Sequence, residues 1–221
     1  MRMGAFATVK KGKIKKYLEK ERVMRFDLTQ HNTLNKTYKL MAQTIIPRPI
    51  AWVVTEDEGV VNVAPFSYFI GLSSDPASVL ISVGHKPDGT PKDTLLNLRK
   101  HKRCTICMVE ESDLEKMHLS SKGLPHSESE AEAFKIETVV MKQGFPPVIA
   151  SAPVAYFCEL NQEIDLGGGK TVPVVLNVQE IFVKDEVITD KERLTIQFDP
   201  VARIGKSYAF LGEEIDPPVI P

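Results

Sequence analysis

Two long stretches of period-two alternation constrain this chain more than any other feature. In 154–164, Val154, Tyr156, Cys158, Leu160 and Ile164 share one parity, while Glu159, Asn161 and Glu163 share the other. Successive strand side chains point to opposite faces, so the pattern predicts a long strand with one face buried. Val172, Val174, Leu176 and Val178 repeat it. The parity then shifts to Ile181 and Val183, which predicts a bulge near Gln179-Glu180. Gly167-Gly168-Gly169 between the two stretches predicts the turn of a hairpin.

Further strands lie upstream. Ala51–Thr55 and Val60–Ala64 read as a hairpin around the turn Glu56-Asp57-Glu58-Gly59. Ala77–Val83 is a near-continuous apolar run, and Cys104–Val109 is another strand. Helical signals are few. Tyr38–Met41 reads as one turn, and Pro47 and Pro49 keep Arg48 out of any helix interior. Thr90 is the expected N-cap of a helix with Pro91 in its first position and Asp93 completing a capping box. That helix carries Leu95, Leu96 and Leu98 and ends in the basic run 99–103. Residues 111–135 are polar and helical in pieces, broken at Gly123-Leu124-Pro125. The order of elements predicts a mainly β protein, an antiparallel sheet closed into a barrel with peripheral helices.

A chain of 221 residues suits one large domain. We divide it into a basic N-terminal extension, 1–30, and a globular domain, 31–221. Residues 1–25 hold nine Lys and Arg against Glu19 and Glu21. Ile14, Tyr17 and Leu18 follow helical spacing there, which fits a short basic amphipathic helix or a solvated arm. Met24 is a conceivable alternative start, because the globular pattern begins just after it. The net charge of -1 argues against nucleic acid as a partner. Three cysteines without a secretory signal point to a reducing, cytoplasmic compartment, and the lack of a long apolar run to no membrane span.

Several motifs carry no chemistry on inspection. Leu166-Gly-Gly-Gly-Lys-Thr171 looks like a phosphate loop, but Ile164 stands where a glycine is needed, and the segment lies between two strands. Cys104 and Cys107 have C-x-x-C spacing, yet residues three apart on a strand face opposite ways. Core thiols are the expectation. No histidine pair has metal spacing, and the Ser-Ser pairs lack a nucleophile context.

A second set is more pointed. Asn62–Tyr68 places small residues, a proline, a hydroxyl and aromatics in a row. Ser82-Val83-Gly84-His85-Lys86 ends a buried strand in hydroxyl, glycine and cation, and Lys92-Asp93-Thr94 opens a helix. A helix N-terminus with Lys92, Thr94 and Ser82 nearby suits a phosphate monoester. Trp52, Phe66 and Tyr68 offer flat apolar surface to a ring. These residues suit either a phosphorylated aromatic cofactor or ordinary turns and core.

The segments Pro47–Val53, Asn62–Phe69, Ser73-Ser74-Asp75-Pro76, Ser82-Val83-Gly84 and Lys92-Asp93-Thr94 together resemble the flavin reductase-like, FMN-binding split-barrel family, and within it the flavoredoxin branch. Leu166–Gly169 and Arg203–Tyr208 add to the resemblance, which spans about 36–212. It implies a six-stranded antiparallel split barrel, a homodimer, and FMN near the dimer interface. It also implies that Ala64, Pro65, Ser67 and Tyr68 lie along the ring and ribityl chain. Ser82, Val83, Lys92, Asp93 and Thr94 would lie around the tail and phosphate, Arg48 and Trp52 near the ring, and Tyr208 at the site edge. His126 is a weaker match to a residue over the flavin. By the same resemblance the flavin carries the redox chemistry, NAD(P)H or a redox partner protein supplies electrons, and no side chain acts as acid or base. The alternatives are a bound-flavin electron carrier that never uses a nicotinamide, a non-enzymatic sensor module on the same barrel, and a pyridoxamine phosphate oxidase-type barrel.

Overall fold

The computed structural model describes residues 24–29 and 34–220. Most of the basic arm, with its amphipathic-helix reading, lies outside the described residues. The chain divides into two compact units, 1–41 and 42–221. The described part of the first comprises 24–29 and the opening turns of helix α1 (Leu34–Thr44). Among the described residues no helix is long and apolar enough to cross a membrane.

The second unit is built on one seven-stranded antiparallel sheet. Its strands are β1 (Ala51–Asp57), β2 (Val60–Phe66), β3 (Phe69–Ser74), β4 (Ala77–Gly84), β5 (Arg103–Cys107), β8 (Val154–Glu163) and β9 (Thr171–Val183), with β6 (Thr138–Val139) and β7 (Val148–Ile149) forming a separate small pair. The spatial order is β2-β1-β5-β8-β9-β4-β3. The two end strands, β2 and β3, follow each other in sequence and are linked only by Ser67 and Tyr68. Phe66 of β2 shares a core cluster with Val79, Ile81 and Val83 of β4, from the far end of the sheet. The sheet therefore curls until its ends meet, with its seam at Ser67-Tyr68. With β2 and β3 counted as one bent passage, the seven strands make the six staves of a split barrel.

Local signals explain the joints. Glu58 and Gly59 both have positive φ, 50° and 85°, the geometry of a tight two-residue hairpin. Phe157 pairs with Glu180 and Cys158 with Val178, so Gln179 is the extra residue of the predicted bulge. Cys104 faces one cluster and Cys107 the other, and both are buried free thiols. Burial pushes the Cys107 thiol up to about 12.

Two sequence expectations need correction. Strand β8 is buried on both faces over its first half, not one. Tyr156, Cys158 and Leu160 belong to the inner cluster, with Leu95 and Leu98 of helix α2 (Asp93–His101). Ala155 and Phe157 pack outward against Met117, Ile136, Val148 and Ile149, because the segment between β5 and β8 folds back over the barrel. Thr90 does not cap α2. Pro91 still pairs with His85 in an extended bridge, and Thr90 bonds to Asp88 through both its N–H (2.8 Å) and its hydroxyl (2.6 Å). The helix opens two residues later, with Lys92 at the cap position and no side-chain cap.

Candidate functional site

Strand β2, the loop leading into α2, and the segment 120–130 enclose a cavity of about 550 Å³. That volume falls within the range of small-molecule sites, roughly 300–1,000 Å³. Its wall includes Asn62, Ala64 and Pro65 from β2, and Lys86, Pro87 and Asp88 from the loop. Lys92, Asp93 and Thr94 come from the start of α2, and Ser120 to Leu124 with Glu130 complete the wall.

The start of α2 is held in place by an amide. The buried Asn62 donates from Nδ2 to Thr55 Oγ1 and to Thr94 Oγ1, each at 3.1 Å. Thr94 Oγ1 is thus an acceptor toward the core, and its own O–H remains able to donate. The amides of Leu95 and Leu96 already point to Lys92 O, at 2.9 and 3.1 Å, so Asp93 and Thr94 open the helix. A helix start of this kind attracts anions.

The charges around this end are unequal in their pairing. Lys86 Nζ meets Asp93 at 3.1 Å. Lys92 has no carboxylate within ion-pair distance among the described residues, and its Nζ stands 5.6 Å above the Phe66 ring. Burial lowers the Lys92 pKa from its ordinary value, so the ammonium carries a desolvation penalty. Glu130 is the opposite case. It is 5% exposed and accepts the Val63 N–H at 3.1 Å. Burial raises its pKa above the usual carboxylate value, and the charge of Asp93 adds to the effect.

The expected site residues separate into groups. Ala64, Pro65, Lys92, Asp93 and Thr94 stand together in the cavity wall. Ser82 lies on β4, its N–H bonded to Tyr68 O at 2.9 Å, while the Val83 side chain is fully buried in the inner core. Trp52 is not on the wall. It is fully buried in the outer cluster, its Nε1–H donating to Ser120 Oγ at 2.9 Å, so its ring has no free face for a ligand. Arg48 is 3% exposed, and its guanidinium donates to Ala42 O and, at 2.7 Å, to Ile45 O. It also reaches Ser67 Oγ at 3.5 Å and stands 5.9 Å from the Tyr68 ring centre. Arg48, Ser67 and Tyr68 therefore gather at the barrel seam. Tyr208 lies apart, on the short strand Ser207–Ala209, its phenol 2.8 Å from His118 Nδ1 and its ring 4.6 Å from the Arg203 guanidinium. His126 does not line the large cavity. It joins Asp93 at 2.9 Å and Asp57 at 3.5 Å.

Glu130 and Lys122 are wall residues that sequence reasoning missed. Neither carries a local signal, since both lie in 111–135, which reads as a polar stretch helical in pieces. The arrangement as a whole can take an elongated molecule with an anionic end, placing the anion at Lys92 and α2 and an apolar body against Ala64, Pro65 and Leu124.

Residues 41–200 match the flavin reductase like domain family. An uncharacterized protein of Halalkalibacterium halodurans is 35% identical over 193 residues, covering 84% of this chain and 92% of that one. Nitrilotriacetate monooxygenase component B from Bacillus cereus superposes with a TM-score of 0.80 at 28% identity, over 88% of this chain and 98% of that one. Pseudomonas fluorescens 2-nitrobenzoate 2-nitroreductase gives 0.78 at 29% identity, over 89% and 96%. Flavoredoxin of Desulfovibrio vulgaris shares the fold, with a TM-score of 0.68 at 16% identity, over 88% and 97%. A split barrel curled shut at Ser67-Tyr68, a cationic helix start on a ligand-sized cavity, and these matches lead to one conclusion: the chain belongs to the flavin reductase like domain family and is a flavin-related oxidoreductase.

Proposed function

We propose that the cavity binds FMN and that the protein is an NAD(P)H-dependent flavin oxidoreductase of the reductase or flavoredoxin kind. The observation that carries the reading is Lys92: a half-buried ammonium on the cavity wall, at a helix start, with no carboxylate partner among the described residues. Such a group is costly alone and favourable once a phosphate arrives. The chemistry a flavin supplies when bound is to accept a hydride from a reduced nicotinamide and pass electrons to an acceptor.

The protein's own contribution is binding and orientation. Lys92, Lys122 and the first amides of α2 hold the phosphate, and the Thr94 hydroxyl donates to it. Ala64, Pro65, Pro87 and Leu124 give an apolar wall that excludes water from one side of the ring. The names of the two neighbours at 28% and 29% identity, a monooxygenase component and a nitroreductase, favour redox turnover over a passive flavin-binding module. A homodimer is part of the proposal. Its support is β3, an end strand of the sheet whose Ile70 and Leu72 are 61% and 53% exposed.

The test is the visible spectrum of the purified protein, identification of the molecule released by heat, and anaerobic addition of NADPH or NADH. Released FMN and bleaching by a nicotinamide are expected. Protein that neither contains nor takes up FMN overturns the reading. Bleaching by a partner protein but by neither nicotinamide makes the chain an electron carrier. Light scattering at the monomer mass removes the dimer.

A further inference from the structure

Asp93 stands where the resemblance expects a neighbour of the ligand phosphate. A carboxylate next to a phosphate is repulsive, so its presence on the wall needs a reason. The side chain is mostly buried, at 13% exposure, and both its oxygens are engaged by nitrogen donors. Lys86 Nζ reaches it at 3.1 Å from the loop between β4 and α2. His126 Nδ1 reaches it at 2.9 Å from the segment 120–130. His126 also faces Asp57 at the end of β1, at 3.5 Å.

The segment 120–130 has other anchors, and they sit close to its ends. Ser120 accepts the Trp52 indole N–H at one end, and Ser129 Oγ donates to Val61 O at 2.7 Å at the other. The middle holds the cavity-lining Lys122, Gly123 and Leu124. Of the side-chain contacts seen in this middle, only those of His126 reach across to α2. The loop on the opposite side reaches α2 through Lys86.

We infer that Asp93 is a positioning residue, a clasp that joins Lys86 and His126 and so fixes the two walls of the cavity around the bound molecule. Asp93 does not contact the phosphate in this scheme; its carboxylate is turned to the Lys86 ammonium and the His126 ring, which leaves Lys92 to meet the anion. The inference rests on the flavin reading of the cavity, but the clasp itself exists without flavin.

The test uses the full chain with Asp93→Asn, His126→Ala and His126→Lys. In the ligand-free protein, amide hydrogen exchange across 121–128 accelerates roughly fivefold in Asp93→Asn and in His126→Ala, and the double variant is no faster than either. His126→Lys keeps a nitrogen donor to the Asp93 carboxylate and restores slow exchange. With FMN as probe, Asp93→Asn raises the dissociation rate and weakens binding. The sign decides the matter: if Asp93 were merely a like charge beside the phosphate, its removal would tighten FMN binding. Unchanged exchange, additive effects, or tighter FMN binding in Asp93→Asn overturns the clasp. Accelerated exchange in a wild-type background that binds no FMN supports the clasp and overturns the flavin reading instead.

Discussion

Lys92→Met separates a ligand-binding lysine from a structural one. Methionine keeps a long unbranched side chain and removes the charge. In the ligand-free protein the Lys92 pKa is depressed below its ordinary 10.5 by burial. The unfolded chain then holds the proton more tightly than the folded one. The resulting penalty is fully present below the folded pKa and is relieved as pH rises through the window up to 10.5. Against it stands the contact with the Phe66 ring, worth about 0.5–1 kcal/mol. The two effects oppose each other, so the substitution changes ligand-free stability by no more than about 1 kcal/mol. For a chain of this size that is within about 4 °C in Tm.

Binding responds differently. A charge-assisted hydrogen bond to a phosphate contributes about 1.5–3 kcal/mol. Its loss weakens FMN affinity roughly tenfold to a hundredfold. Riboflavin has the same ring and no phosphate, so its affinity is unchanged. The assay is fluorescence titration of both flavins against wild type and Lys92→Met, beside a thermal melt of each protein without ligand. Equal weakening for FMN and riboflavin, or a loss of many degrees in the melt, refutes the assignment of Lys92 to the phosphate end.

Three further outcomes are expected. Trp52→Phe removes the indole donor to Ser120 and leaves a small void, costing about 1–3 kcal/mol in urea unfolding, while flavin affinity stays near wild type because the ring is not on the wall. Glu130 has a folded pKa raised by burial, so its contribution is present below 4.5 and is lost as pH rises through the folded value. Glu130→Gln keeps an acceptor for the Val63 N–H and flattens that fall in a stability-against-pH series; an unchanged slope counts against it. Asp57 is held down to about 2 by hydrogen bonds from Lys100 and His101, so its contribution is present above 3.8 and is lost as pH falls through about 2. Its carboxyl carbon titrates near that value by NMR, and Lys100→Ala moves the midpoint toward 3.8.

Much of the barrel was legible because its causes are local. Alternation in 171–183 marked a strand, the parity slip marked the bulge at Gln179, and Glu58-Gly59 marked a hairpin. Parity alone also separated Cys104 from Cys107. The same rule, applied further, would have divided the site residues. Ser82 and Val83 are neighbours on β4 and cannot both face one ligand; Val83 points into the inner core. What parity cannot say is which face of a strand meets a ligand and which meets another part of the chain. Strand β1 is buried on both faces, with Ala51 and Val53 inside the barrel and Trp52 and Val54 under the segment between β5 and β8. Nothing in the sequence near Trp52 foretells Ser120.

The site follows the same division. Lys92-Asp93-Thr94 was visible because a helix start is a local event, even though the start fell two residues beyond the expected cap. Glu130 was invisible because its environment is made by distance. In its own neighbourhood, Ser127 to Glu132, it is one of five acidic or hydroxyl residues in a polar run, where a carboxylate is expected in solvent. Its burial depends on a bond to Val63, 67 residues earlier, and its raised pKa depends on that burial. Residues shaped by local geometry announce themselves in the sequence. Residues shaped by long-range desolvation do not, and in this protein they share the wall of a single cavity.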